Sequence, residues 1–447
     1  MPDQTTERRQ RSGMNWRFVL RALRHRNYRL FFGGQGISLI GTWMTRVATA
    51  WLVYRLTNSA LLLGVVSFAS QIPILVLGPF AGVWVDRLHR HRLLVVTQVL
   101  SMLQSFALAY LALAGVITVL DIILLNLFQG VVNAFDMPAR QAFVVEMVVD
   151  RGDLSNAIAL NSSLVNAARL IGPSVAGLVI AAIGEGYCFL IDGFSYVAVI
   201  ASLLAMRVAL PSLAHPGESV LSELREGWDY VRGFQPIRTI LLLLALVSLV
   251  GMPYTTLMPI FAGSILHSGA HGLGFMMGAV GVGALIGAVT LAARASVLGL
   301  GRVIAVTAGT FGAGLIAFSA SRQFWLSLLL LLVTGYSFMQ QMAASNTILQ
   351  TIAEDTKRGR VMSFYAMAFQ GVAPFGSLIA GAVANSIGAP YTLTIGGGIC
   401  ICGAIAFASR LPTIRRLVRP IYVQIGILPE LAAGINTASM LQEPPED

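Results

Sequence analysis

Residues able to do chemistry are scarce in this chain, and several of them sit where water does not. Asp192 and Asp121 fall in or at the edge of long apolar runs, as do Arg46 and Arg169. An ionised side chain at the centre of a bilayer costs roughly 2.5–3.5 kcal/mol on insertion scales, so such groups are paired, wetted or functional. The chemistry open to them is proton binding and ion pairing. At a helical rise of about 1.5 Å per residue, Arg46 and Asp192 both lie about 6–8 Å outward of their segment midpoints, a matched depth. Two readings stay open: an arginine pair that protonation of Asp192 or Asp121 releases, and a static pair that satisfies two costly groups.

Other chemistries lack their residues. The single lysine, Lys357, follows no glycine-rich phosphate loop, so ATP hydrolysis by a P-loop is excluded. No HExxH or EF-hand pattern occurs, and His267 and His271, though at helical spacing, lie in a Gly- and Ser-rich stretch between apolar runs. No metal is expected there. Cys188, Cys400 and Cys402 all fall in apolar runs and read as small buried hydrophobes. An enzyme is not expected, and neither is a cofactor. An ion gradient remains as the source of work, about 2.3 kcal/mol per charge per 100 mV, and coupling to protons requires an acid that titrates inside the bundle.

The elements that must hold these groups follow from hydropathy. Hydrophobic residues make up 56% of the chain, charged ones 11%, and mean hydropathy is +0.75, which is a membrane composition. Twelve apolar runs span 30–54, 61–85, 93–113, 117–135, 159–183 and 187–208, then 239–261, 273–293, 303–320, 324–342, 361–387 and 391–408. Each is long enough to cross about 30 Å of hydrocarbon as a helix. The first lacks a small-residue cleavage site and reads as a span, not a signal. The short alternating segments of a transmembrane barrel are not seen. With a cytoplasmic N-terminus, every Lys and Arg except Arg46, Arg55, Arg169 and Arg322 falls on the cytoplasmic side. That positive-inside pattern accounts for the +10 net charge without nucleic acid.

The expected fold is therefore all-α and integral to the membrane, with twelve transmembrane helices in two six-helix bundles and both termini cytoplasmic. It divides into a basic tail (1–28), a first bundle (29–208), a linker (209–238), a second bundle (239–410) and a cytoplasmic tail (411–447). In the linker Glu223, Arg225, Glu226 and Arg232 alternate with Leu224, Trp228 and Val231, which predicts a short amphipathic helix on the membrane face. Sliding the chain by about 204 residues lays Gly172, Ala176, Gly177 and Val179 on Gly376, Ala380, Gly381 and Val383. Ile183, Gly184, Tyr187 and Ile191 then fall on Ile387, Gly388, Tyr391 and Ile395. The halves read as duplicates, and two parallel repeats about a midplane cleft are a plan of secondary transporters. Gly274/Gly278 and Gly283/Gly287 give faces for close helix approach, whether to slide or to pack statically.

Between the second and third runs stands Gly82-Val-Trp-Val-Asp86-Arg87-Leu-His89-Arg90-His91-Arg92. Arginines alone would anchor the loop; Asp86 weakens that anchor, and Gly82 lies one turn before it. A carboxylate at a helix end can face the positive N-terminus of a neighbour while adjacent arginines pair with acids, forming a latch. The stretch Gly82-x-x-x-Asp86-Arg87-x-x-Arg90 resembles the loop signature of the major facilitator superfamily, with His89 in place of its glycine and His91 in place of a basic residue. Asn133-Ala-Phe-Asp136-Met-Pro138-Ala-Arg140, Arg169-Leu-Ile-Gly172-Pro173 and Arg358-Gly-Arg360-Val-Met362 resemble the branch containing enterobactin exporters and macrolide efflux pumps. The likeness runs from about residue 27 to residue 410.

The resemblance implies a gating motif of Gly82, Asp86, Arg87, Arg90, Arg92, Asp136 and Arg140, with Asp86 near Val361 and Arg90 paired with Asp136. It implies an antiporter-like kink at Arg169, Gly172, Pro173 and Gly177, and hence export. It implies a substrate cavity lined by the first, fourth, seventh and tenth spans, with Gln35, Thr42, Asn126, Gln129, Asn133, Gln340 and Gln341 as polar candidates. Ser38, Thr255, Thr256 and Tyr336 join them, and Met44, Met252, Met258, Met339 and Met342 offer adaptable apolar contacts. The expected function is a secondary active transporter, a proton-coupled antiporter exporting amphipathic small molecules of drug or siderophore type by alternating access. It is expected to act as a monomer among lipids in a bacterial inner membrane, without nucleic acid. Alternatives are a lysophospholipid flippase or importer on the same fold, and a non-transporting membrane sensor or scaffold.

Overall fold

In hydrocarbon a backbone finds no water, and a helix satisfies its own N–H and C=O groups. In the computed structural model of the protein every apolar run is accordingly helical, and no strand occurs among the described residues. Those residues are 20–148, 150–207, 220–294, 296–425 and 427, without the side chains of 79, 82, 83, 86, 151 and 220–225. The first 19 residues, the start of the linker and the tail beyond 427 lie outside them.

Twelve long helices are described. The first half holds α1 (Arg26–Thr57), α2 (Ala60–Arg87), α3 (Arg90–Leu113), α4 (Val119–Met147), α5 (Leu154–Ile183) and α6 (Glu185–Leu204). The second holds α7 (Gln235–Ile265), α8 (Gly269–Ala292), α9 (Leu300–Ala320), α10 (Phe324–Ile352), α11 (Arg358–Ile387) and α12 (Ala389–Gln424). Eleven of them are long and apolar enough to span a membrane by composition. The exception, α1, is long enough, but it carries Gln35, Ser38, Thr42, Thr45, Arg46 and Thr49 in its middle.

Local chemistry sets the ends. Ser59 caps α2 by accepting from the Leu62 N–H at 3.3 Å, and Thr118 and Asp121 cap α4 reciprocally. Gly184 and Gly388, duplicates of one another, adopt φ of +94° and +88° and turn the chain into α6 and α12. Two helices are interrupted by π-helical turns, at Val247–Gly251 and Phe261–Ile265 in α7 and at Met367–Gly371 in α11. The Ser248 hydroxyl donates to the Phe369 carbonyl and joins two of these turns. Such turns cluster at functional sites because they release backbone groups from the α pattern.

The halves repeat one packing scheme. In the first, α2 packs on α4, and α3 on α4 and α6; in the second, α8 packs on α10, and α9 on α10 and α12. Between halves the main contacts are α2 with α11 and α5 with α8. Asn27 bonds the Arg207 backbone, His91 bonds the Leu203 carbonyl and Arg90 pairs with Glu146, so the starts of α1 and α3 share a face with the ends of α4 and α6. We term it the basic face. Tyr54 with Ser264 and Arg55 with Glu185 mark the far face.

The linker helix, Val220–Gly233, is fastened to the start of α11: Glu226 meets Arg360 at 2.5 Å, and the Trp228 ring lies 6.0 Å from Phe364. Glu223, Leu224 and Arg225 lie outside the described side chains. Cys188 and Cys400 are buried as expected, whereas Cys402 is exposed on the outer surface of α12.

Candidate functional site

Where the two halves meet, a cavity of about 430 Å³ opens. Its first-half wall carries every charge: Arg46 from α1, Arg169 from α5 and Asp192 from α6, with Gln71, Gln104 and Asn126 beside them. The second-half wall is mostly apolar, led by Met252, Met258, Met277 and Phe369. Thr255, Thr256 and Ser377 add hydroxyls, and Thr256 bonds Ser377 at 3.1 Å.

Asp192 is held by hydroxyl groups. Thr45 donates to its carboxylate at 2.8 Å, Ser105 at 2.9 Å and Ser195 at 3.4 Å, and the residue is 1% exposed. Gly41 makes room for it, since a Cβ there would lie 2.6 Å from Asp192 Oδ1. The expected pair with Arg46 does not form. One residue turns a helix by about 100°, so Thr45, not Arg46, faces α6. Asp121 is not a partner either: it lies at the far-face start of α4, bound to Thr118 in the capping box.

Arg46 and Arg169 share a different neighbour. Their guanidinium carbons lie 4.7 Å and 5.6 Å from the Trp43 ring centre, within cation–π range. Trp43 itself is fixed by α5, because Gly172 lets that helix approach until an added Cβ would lie 2.5 Å from the Trp43 Cβ. Pro173 lines the cavity one residue further on.

Of the polar candidates, Thr42, Asn126, Gln129 and Asn133 line the cavity, with Gln129 donating to Ser101 at 3.0 Å and to Asn133 at 3.2 Å. Gln35, Gln340 and Gln341 do not. Gln35 is buried within the first half, and Gln340 turns away to the Gly287 carbonyl at 3.1 Å and Thr290 at 2.6 Å in α8. Gln341 is wholly buried. The tenth span is replaced on the wall by α2, α5, α8 and α11. Backbone contact explains the replacement: glycines at 283, 287 and 335 draw α10 tightly against α8, behind the cavity. Of the methionines expected, Met252 and Met258 line the site, while Met44, Met339 and Met342 pack elsewhere.

Toward the far face the cavity is closed by two crossings of bare backbone. Gly64 of α2 meets Gly381 of α11, where added Cβ atoms would lie 2.6 Å from the Ser377 carbonyl oxygen and 2.7 Å from that of Ala60. Gly177 of α5 meets Gly274 of α8, with corresponding distances of 2.9 Å to the Ala270 oxygen and 2.7 Å to that of Pro173. Toward the basic face α2 packs along Met367–Ile387 and hardly against Arg358–Ala366, the first nine residues of α11. A Cβ added at Gly78 or Gly359 would meet nothing within 4 Å.

The residues expected to gate sit toward the basic-face ends of α2, α3 and α4. Gly82 and Asp86 fall outside the described side chains, and Arg87 and Arg92 are exposed. Arg90 does not pair with Asp136; it meets Glu146 at 2.6 Å. Depth decides the match, because Asp136 lies ten residues, about 15 Å of helix, from Glu146. At that depth it is buried and bonded by Thr97 at 2.9 Å, by Gln98 at 2.7 Å and by Arg140 one turn along α4. The reciprocal spacing of α3 and α4, with Arg90 at the start of one and Glu146 at the end of the other, was the signal available for this pair.

A second polar cluster ties the chain start to the basic face. Asp153 accepts from His25 at 3.0 Å and pairs with Arg24 at 2.8 Å and Arg21 at 3.2 Å. Above all the His25 bond, with the arginine charges adding to it, holds the Asp153 carboxyl below its ordinary range.

Known proteins place this architecture. The model of the transmembrane secretion effector family matches residues 19–420. The staphyloferrin A transporter of Staphylococcus aureus (strain NCTC 8325 / PS 47) is 25% identical over 380 residues, covering 84% of this chain and 94% of that one. The multidrug efflux pump Tap of Mycolicibacterium fortuitum is 26% identical over 399 residues, with 84% and 93% covered, and macrolide efflux protein A of Streptococcus pyogenes is 24% identical over 405, with 86% and 96% covered. Among solved structures, the nucleoside transporter NupG superposes with a TM-score of 0.66 at 14% identity, covering 87% of this chain and 98% of that one. An auto-inhibited POT family peptide transporter gives 0.64 at 14%, with 86% and 96% covered. The fold, the duplicated halves and the match over most of the chain agree: the protein belongs to the transmembrane secretion effector family, within the major facilitator superfamily of membrane transporters.

Proposed function

We propose that the protein is a proton-coupled antiporter that exports amphipathic small molecules by alternating access. The observation that carries this reading is the cavity: one chamber between duplicated halves, closed on a single face by paired glycine crossings, with a charged wall opposite a Met and Phe wall. An amphipathic solute matches those two walls. Contacts made of bare backbone separate and re-form without side-chain rearrangement, as rocking of one half on the other requires.

In this reading the basic face is cytoplasmic by the positive-inside rule, both termini lie there, and the described form accepts cargo from inside a bacterial cell. The names of the relatives, for staphyloferrin A transport and for macrolide and multidrug efflux, support export and a cargo of drug or siderophore type. The Gly172–Pro173 element supports exchange over uniport. One chain builds the whole cavity, which supports a monomer.

Asp192 is the proton carrier in this reading, the single carboxylate among the described cavity residues. Hydroxyl partners suit both of its forms, since each donates to a carboxylate or rotates to accept from a carboxylic acid. Dye efflux from energised cells, with and without a protonophore, tests the proposal. Wild type should export only with the gradient intact, and Asp192→Asn should lose uphill export while keeping dye exchange. Export indifferent to the protonophore, or unchanged in Asp192→Asn, overturns the coupling; no dye movement in wild type overturns the exporter.

A further inference from the structure

We infer that the cavity recognises an organic anion, its carboxylate or phosphate held by Arg46 and Arg169 and its apolar body laid on Trp43 and the second-half methionines. The inference deepens the transport reading and rests on it. Two guanidinium groups lie over one indole ring at 4.7 Å and 5.6 Å, so the cations sit within about 10 Å of each other. Neither donates a hydrogen bond to, or forms an ion pair with, any described residue. Other arginines set into the helix bundle are answered, Arg55 by Glu185, Arg90 by Glu146, Arg140 by Asp136 and Arg360 by Glu226, while those without an acid, such as Arg87 and Arg92, lie exposed at the basic face. The two cavity arginines have neither an acid nor a water-facing loop to account for them.

Asp192 does not answer them, because its carboxylate is taken up by Thr45, Ser105 and Ser195. Arg46 is also open to the cavity, exposing more than a third of its surface although it lies in the middle of α1. The cavity lining thus carries two cations to one anion, with planar donor forks that fit a carboxylate or phosphate in bidentate fashion. A cationic drug would meet repulsion at the same place. The Met252, Met258 and Met277 side chains opposite give the anion's apolar part an adaptable surface.

The test uses the full chain in nanodiscs and three probes of one shape: 1-pyrenebutyrate, its neutral methylamide and 1-pyrenebutylammonium, with binding to empty nanodiscs subtracted. The carboxylate should bind at least tenfold more tightly than either relative. Arg46→Gln and Arg169→Gln should each remove that preference, and Arg46→Lys and Arg169→Lys, which keep the charge, should retain most of it. If the Gln variants do not stay monodisperse, the preference of the wild type and Lys variants decides alone. Equal or tighter binding of the amide or ammonium probe, or no saturable carboxylate binding, overturns the inference. Displacement of pyrenebutyrate by lysophosphatidate assigns the anion to lipid, and its failure assigns it to a soluble carboxylate. Anion binding without any gradient-driven efflux would remove the exporter and leave the site; uphill export of an ammonium dye, undiminished in the Gln variants, would remove the site and leave the exporter.

Discussion

Replacing Gly64 by alanine puts a methyl carbon 2.6 Å from the Ser377 carbonyl oxygen, and Gly381→Ala puts one 2.7 Å from that of Ala60. Ordinary contact begins near 3.4 Å, so α2 and α11 must part by about 0.7–0.8 Å at their crossing. Overpacking of this kind costs about 1–3 kcal/mol. Because about 1.4 kcal/mol is a factor of ten, the far-face-open population should rise roughly 5- to 150-fold. A cysteine at Thr49, which lines the cavity and is 5% exposed, reports it. In a background with Cys188, Cys400 and Cys402 replaced, a membrane-impermeant maleimide is applied to right-side-out and to inverted vesicles. Labelling from the far face should accelerate at least fivefold in Gly64→Ala, Gly381→Ala, Gly177→Ala and Gly274→Ala. Gly78→Ala, whose methyl meets nothing within 4 Å, should leave the rate within twofold. Gly64→Ala with Gly381→Ala, two halves of one crossing, should combine less than additively. Unchanged labelling in the crossing variants, or an equal rise in Gly78→Ala, refutes the idea that these contacts form the seal.

Glu146→Gln breaks the half-buried pair with Arg90 and should cost about 1–2 kcal/mol, whereas Asp136→Asn, which strips a 2%-exposed carboxylate from Arg140, Thr97 and Gln98, should cost about 3–5 kcal/mol. Thermal melting of the purified variants checks the order, and Glu146→Gln matching Asp136→Asn would show the assignment by depth to be wrong. At the basic face the Asp153 carboxyl titrates below its ordinary value, so its contribution is complete above about pH 4 and fades as pH falls through the depressed value. The melting difference between wild type and Asp153→Asn should therefore close as pH falls below about 4; a difference undiminished at pH 3 counts against the His25–Asp153 contact as its source.

Much of this architecture is written in hydropathy. Twelve runs give twelve helices, and the self-match that lays Gly177 on Gly381 picks out one glycine from each seal. Which residues these glycines meet is not written there: the Gly274/Gly278 pair offers a face without naming its partner, and Gly64 is marked only by close approach in space. The facing of the helices is harder still. Apolar nearly all round, α2 and α8 carry no stripe to tell the lipid side from the interior, and in α1 the polar positions from Gln35 to Thr49 mark a face without saying which neighbour it meets. Depth alone therefore pairs Asp192 with Arg46 where the fold supplies Thr45, and the family resemblance sets α10 on a wall that glycine contacts with α8 draw it away from. Matched depth proved a weak guide to pairing without the helix rotation that goes with it. Asp121 carried a readable signal, the Thr118-x-x-Asp121 spacing of a capping box, which identifies it as a helix start.

The duplication separates two demands that a transporter places on one fold. Moving the halves against each other requires like backbones, and the repeat supplies them: Gly172 and Gly376 each admit a neighbouring helix, and Gly177 and Gly381 each close a seal. Recognition requires unlike walls. A shift of about 204 residues lays Arg169 on Ala373, Asp192 on Gly396 and Arg46 on Val250. Every charge of the cavity is therefore absent from the second half, which presents Met252, Met258, Met277 and Phe369 instead. On the proposed transport reading, glycines retained in both copies serve the motion and charges held by one copy serve the recognition. It follows that transferring Arg169 to its duplicate position should leave the seal intact and change only what the cavity binds, because the crossing contacts lie one or more turns away on either helix.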